Sequence, residues 1–143
     1  MDQELFQDII PFIQSRYNIS EQSRERAIAG LSMGGLQALE TGMVHRGYFD
    51  WIGAFSPAVW PQVLSEGFKA ALQNPDQLNG SLRLVDIING DSDGICGKAA
   101  TGSGAQLKQA NIQHAYMLVP GGTHSMFVWR PALYHFLQKV FKP

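Results

Sequence analysis

The sequence predicts an α/β fold of about four parallel strands flanked by helices. Three observations carry that prediction, the first two being that short apolar runs bounded by turn residues recur along the chain and that amphipathic helical patterns separate them. The third is their order, because strands that alternate with helices pair in parallel through right-handed crossovers, with helices on both faces of the sheet. At 143 residues, with 45% hydrophobic and 16% charged, the chain is within reach of one globular domain spanning residues 1–143. Surface scaling lets such a chain bury roughly two thirds of its unfolded surface. A sizeable core follows.

Over residues 2–16, Leu5, Phe6, Ile9, Ile10 and Ile13 recur at helical spacing and predict one apolar helix face, with Asp2 as N-cap. Pro11 has no N–H and crowds the carbonyl of Gln7, so the helix should kink there or begin later. After a polar turn, residues 26–30 read as a strand buried on both faces. Gly30-Leu31-Ser32-Met33-Gly34-Gly35 then turns into a helix over residues 36–45, which Gly47 can end. Residues 51–55 form a second strand, followed by a loop with Pro57 and Pro61 and a short helix over residues 66–72.

Residues 82–88 are a third strand, ending in the turn-forming cluster Asn89-Gly90-Asp91-Ser92-Asp93-Gly94 and a helix over residues 105–111. Residues 114–119 are the fourth. The last helix is expected to have Pro131 near its first position and Leu133, Phe136, Leu137, Val140 and Phe141 as its buried stripe. The sequence contains no internal repeat and no linker.

The formal net charge is −1, from 11 basic and 12 acidic residues without a basic patch, which argues against nucleic acid as a partner. Cys96 is the single cysteine, so no intrachain disulfide framework exists. The four histidines include no His-Glu-x-x-His helix, and neither a metal site nor a cofactor is expected. The first residues lack a basic stretch, and the apolar runs fall far short of a span of about 20 residues; no membrane contact is expected, and the cytoplasm is the default compartment.

In open α/β sheets, chemistry gathers at the carboxyl ends of the strands. Gly30-Leu31-Ser32-Met33-Gly34 fits Gly-x-Ser-x-Gly, a pattern that sets a serine on a tight strand-to-helix turn. The helix N-terminus beneath it favours developing negative charge. A serine hydroxyl needs a base, and His124, in a Gly-rich loop just beyond the fourth strand, is best placed. His135 lies within the last helix, His45 near a helix end and His114 at a strand start. The orienting carboxylate follows the third strand, where spacing alone leaves Asp91 and Asp93 nearly even. Asn89-x-Asp91-x-Asp93-Gly94 also resembles the first half of an EF-hand loop, but the twelfth position, where a glutamate is needed, is Ala100.

With these residues in view, the sequence resembles the esterase D and feruloyl esterase group of α/β-hydrolases, which includes enterochelin esterases and mycolyltransferases. The resemblance covers essentially the whole chain. It rests on Ile10-Pro11-Phe12-Ile13, on Arg26-Ala27-Ile28-Ala29-Gly30-Leu31-Ser32-Met33-Gly34-Gly35, on Asn89-Gly90-Asp91-Ser92-Asp93, and on Pro120-Gly121-Gly122-Thr123-His124 followed by Trp129 and Leu133. Carried over residue by residue, it implies Ser32 as nucleophile, His124 as base and Asp93, three residues after Gly90, as the acid. The Met33 N–H would be one oxyanion donor. Ser125 departs from the acidic residue that often follows the histidine.

The resemblance further implies a partial α/β-hydrolase fold corresponding to the C-terminal half of relatives, without their N-terminal strands and second oxyanion N–H. The edge of the first strand would then be unpartnered, and a homodimer or other assembly is expected to cover it. The implied activity is acyl transfer through Ser32 on small, aryl or feruloyl-type esters, with Trp60, Met126 and Trp129 as substrate-pocket candidates. A catalytically weak remnant or assembly module, and an acyltransferase, are the competing expectations.

Overall fold

A computed structural model describes residues 2–142. Four strands, β1 (Ala27–Leu31), β2 (Trp51–Phe55), β3 (Leu84–Gly90) and β4 (Ala115–Val119), form one sheet in sequential order, every pair parallel. The registers set Ala27 opposite Trp51, Trp51 opposite Leu84 and Asp86 opposite Ala115.

Three crossovers stepping the same way across a sheet with the same hand must all lie on one face. The connecting helices do: α2 (Met33–Val44), α3 (Glu66–Leu72), α4 (Pro75–Ser81) and α5 (Gly97–Gln109) supply Leu39, Met43, Phe68, Leu78 and Leu107 to a core against Ile52, Val85 and Ile87. The opposite face is covered by α6 (Met126–Leu137), which packs Ala132 and Phe136, with Val140 just beyond, on Trp51, Phe55 and Ile88. Lys139 reaches back to Asp86 in the middle of β3, donating to the buried carboxylate at 3.0 Å.

Several elements depart from the sequence expectations. The first helix runs through Pro11 as a π-helical stretch, Glu4–Ile9, leading into α1 (Ile10–Arg16), a geometry that accommodates a missing i−4 donor. None of its residues is fully buried, and Ile9 and Phe12 are exposed. Asp2 does not cap it; its carboxylate instead accepts from Thr41 Oγ1 at 2.6 Å and meets His45 Nε2 at 2.9 Å, tying the segment to α2.

Helix α4 was not anticipated, because Pro75-Asp76-Gln77-Leu78-Asn79-Gly80-Ser81 buries Leu78 alone and carries no amphipathic stripe. Helix α5 begins eight residues earlier than expected, and α6 begins at Met126, so Pro131 lies inside it. The expected α6 stripe is half corrected. Val128, Ala132, Phe136 and Val140, four apart, are buried against the sheet, while Leu133 and Leu137 are exposed and Phe141 is half exposed with its ring edge-on to Trp51.

Strand β1 lies at one edge. Helix α6 packs on β2 and β3, and β1, expected to be buried on both faces, instead has no fully buried residue and leaves Ala29 and Leu31 exposed, because it pairs on one side only.

Candidate active site

The residues singled out above lie just beyond the carboxyl ends of the strands, and the sheet ladder itself places them. The Ser32 N–H extends β1 by one bond to the Phe55 carbonyl at 2.9 Å, the Ser56 N–H extends β2 to Ile88, and the Asp91 N–H extends β3 to Val119. At Ser32 the backbone turns sharply into α2, with φ 55° and ψ −121°. A non-glycine residue there costs about 1–3 kcal/mol, which the surrounding packing must offset. Gly30 makes the turn sterically possible. A Cβ added there would stand 2.2 Å from the Gly34 carbonyl oxygen.

His124 belongs to the far strand. Strands lie about 4.8 Å apart, so β4 is about 14 Å from β1, beyond the reach of an imidazole pointing straight up from its own strand. The loop after β4 therefore has to fold back over the end of β3. It does so by backbone contact between glycines: a Cβ on Gly90 would be 2.1 Å from the Gly122 oxygen. In the fold-back, His124 Nε2 stands 3.0 Å from Ser32 Oγ and Nδ1 stands 2.8 Å from Asp93 Oδ2. With the proton on Nδ1, that N–H donates to Asp93 and Nε2 accepts the Ser32 hydroxyl.

Of the two carboxylates that spacing left open, Asp93 is the one in contact with His124. Its Oδ1 accepts from the Ile95 N–H at 2.9 Å and the Cys96 N–H at 2.8 Å, and its side chain is wholly buried. Asp91 is exposed and faces the other way, accepting from the Gly121 N–H at 2.9 Å and the Ser92 hydroxyl at 2.9 Å. The EF-hand-like pattern thus sends its two aspartates to different partners.

Burial alone would raise the Asp93 pKa, but the hydrogen bonds from His124, Cys96 and Ile95 outweigh it and hold the carboxyl below the ordinary carboxylate value. A carboxyl with a depressed folded pKa adds stability that is complete above its unfolded pKa and disappears as pH falls through the folded one. The contribution of Asp93 is thus full at neutral pH and lost only below about pH 4. Unfolding followed against pH should show a shallower acid limb in Asp93→Asn than in the parent. Superimposable limbs would contradict this.

The decisive comparison for family is with sequence. The Esterase family model, described as "Putative esterase", matches residues 2–140. The chain belongs to this esterase family. Among solved structures, a ferulic acid esterase of the anaerobic fungus Anaeromyces mucronatus is similar at 26% identity and TM-score 0.80, covering 97% of this chain and 52% of that one. The enterobactin esterase of Shigella flexneri is similar at 25% identity and TM-score 0.71, over 93% of this chain and 34% of that one. S-formylglutathione hydrolase of Staphylococcus aureus shares the fold at 16% identity and TM-score 0.76, over 95% and 62% respectively. The chain spans about half the length of the ferulic acid esterase.

Leu31 and Met33 are exposed on either side of Ser32, and Met126 opens α6 half exposed. Met33 is the first residue of α2, so its N–H has no intrahelical acceptor. Trp60 is half-buried ahead of the short turn Pro61–Val63. Trp129 stands edge-on to His124, with ring centroids 4.9 Å apart and planes at 90°, and packs on the α6-side core.

Sequence reasoning assigned nothing to Cys96 or Ser56. Cys96 is fully buried at the start of α5 beside the Ser32 hydroxyl; burial pushes its thiol pKa up and the Asp93 charge adds to that, while Ser32 acts in the opposite sense. Ser56 is fully buried with φ 44°, one residue past β2. No local motif marks either residue: Cys96 meets Asp93 locally, but Ser32 reaches it, and Ile88 reaches Ser56, only when strand ends are brought side by side.

Proposed function

We propose that this chain is a serine carboxylic ester hydrolase acting through an acyl-enzyme. The observation that carries the reading is the continuous hydrogen-bonded line Ser32–His124–Asp93, with separations of 3.0 and 2.8 Å, built across a parallel sheet in an esterase family. Ser32 Oγ attacks the ester carbonyl while His124 Nε2 takes its proton, forming the bond from Oγ to carbon. The Met33 N–H donates to the oxyanion. His124 then protonates the leaving alcohol as the bond from carbon to alkoxy oxygen breaks. Water, deprotonated by His124, repeats the attack on the acyl-serine and releases the acid and Ser32. Asp93 stays ionised and holds the imidazolium.

Aryl and feruloyl-type esters are the proposed substrates. The support is the likeness to a ferulic acid esterase, the exposed Leu31 and Met33 that flank Ser32, and Trp129 edge-on to His124, with Trp60 and Met126 as further pocket candidates. Reaction with a fluorophosphonate probe, mapped to Ser32, together with hydrolysis of nitrophenyl acetate and methyl ferulate, tests the reading. Active turnover without Ser32 labelling would sink it.

The uncovered β1 edge, with Ala29 and Leu31 exposed next to the nucleophile, favours a second element: an assembly, a homodimer in its simplest form, that covers this edge. Light scattering at micromolar concentration should give a mass well above 15.8 kDa. A clean monomer would exclude it. If Ser32 resists the probe while the assembly forms, an assembly module without esterase chemistry is the reading that survives.

A further inference from the structure

We infer that Asp91, which does not touch Ser32 or His124 in the hydrogen-bonded line, is a positioning residue that locks the histidine loop in register over the acid loop. This rests on the reading of His124 as the base.

The loop that carries His124 crosses the end of β3 through Gly121 and Gly122, and Gly121 takes φ 67°. Two adjacent glycines give a backbone many alternatives, and the steric contact between Gly90 and Gly122 limits approach without choosing among them. Register is chosen by hydrogen bonds. Two are backbone bonds: Asp91 N–H to the Val119 carbonyl at 3.2 Å and Ser92 N–H to the Gly122 carbonyl at 2.9 Å. The third is the Asp91 side chain, whose Oδ1 accepts from the Gly121 N–H at 2.9 Å. Ser92 Oγ donates to the same oxygen at 2.9 Å and orients the carboxylate from below.

Gly121 lies three residues before His124, so rotation at Gly121 is transmitted directly to the imidazole. Both contacts of that imidazole are near 3 Å, and a misplacement of about 1 Å can cost up to about 10²-fold in rate. The residue with the lesser claim to the acid role thus holds the base where the acid can reach it.

Three substitutions separate geometry from charge. Asp91→Asn keeps an acceptor oxygen at the same position, Asp91→Glu keeps the charge but displaces the oxygen, and Asp91→Ala removes both. The expected result is kcat within about threefold of the parent for Asp91→Asn, and a loss of about tenfold or more for the other two, with KM within about twofold. A second readout needs no turnover. The far-downfield imidazole proton shared between His124 and Asp93 should persist in the proton NMR spectrum of Asp91→Asn and broaden away in Asp91→Glu. If the chain lacks esterase activity but this proton follows the same pattern, the hydrolase reading fails and the positioning role stands.

An Asp91→Glu variant with parental kcat and an intact imidazole resonance overturns the inference. So does Asp91→Asn as impaired as Asp91→Glu. Should Asp91→Ala fail to fold, the Asn and Glu pair decides alone.

Discussion

Ser32→Ala is expected to lower kcat/KM for an aryl acetate by about 10⁴-fold or more while leaving the thermal unfolding transition close to the parent's. The size follows from what the hydroxyl does. In the proposed mechanism it supplies the atom that becomes bonded to the acyl carbon, and the nearby Cys96 thiol does not stand in its place, being buried and held protonated by burial and by the Asp93 charge. The small structural effect follows from the same geometry, because the hydroxyl's side-chain hydrogen bond is to His124 and the backbone bonds to Phe55 and Ala58 do not involve it. His124→Ala should cost about as much, and the double variant little more than either single one, because the groups act as a unit. Steady-state kinetics with the purified variants checks this. Parental turnover by Ser32→Ala would remove the nucleophile role outright.

Gly90→Ala is expected to be, with Gly30→Ala, among the most damaging additions of a single methyl group. Its Cβ would be placed 2.1 Å from the Gly122 oxygen and 2.4 Å from the Gly122 carbon, both backbone atoms that no rotamer change can move aside. The histidine loop must then lift away from β3, breaking the backbone bonds of Asp91 and Ser92 to it and separating His124 from Asp93. Overpacking of this kind costs about 1–3 kcal/mol, and loss of the His124 geometry about 10²-fold or more in kcat. Gly102→Ala is the internal control. That residue lies inside α5 with nothing within 4 Å of an added Cβ, so the same methyl group should stabilise by up to about 1 kcal/mol. Chemical denaturation of the two variants against the parent measures both signs. A Gly90→Ala protein with parental stability and kcat would mean the two loops are not in fixed contact.

These effects connect to what can be read along one dimension. The four strands are legible as short continuous apolar runs, but burial on both faces is realised only in the inner pair, where Trp51-Ile52-Gly53-Ala54-Phe55 is buried at every residue, and not in β1 or β4 at the edges. Gly30-Leu31-Ser32-Met33-Gly34 is legible because a turn this tight demands small residues at fixed offsets, a requirement local to five residues. Helix α4 was illegible because its seven residues bury Leu78 alone, leaving periodicity nothing to detect. The buried stripe of α6 was misread for a related reason. Apolar residues occur around most of that helix, and which face turns inward depends on where the sheet lies rather than on composition.

By itself, the sequence determined the alternation of strands and helices and the residue types at each strand end, because these depend on neighbours within a few positions. Tertiary structure turned Asp93 toward His124 and Asp91 toward Gly121, and placed Cys96 beside Ser32. Each of those depends on the register between β3 and β4 or on distances across three strands. A carboxylate's direction in an irregular turn is set by the partners waiting for it, here His124 for one aspartate and Gly121 for the other, and those partners arrive from about 30 residues further along the chain.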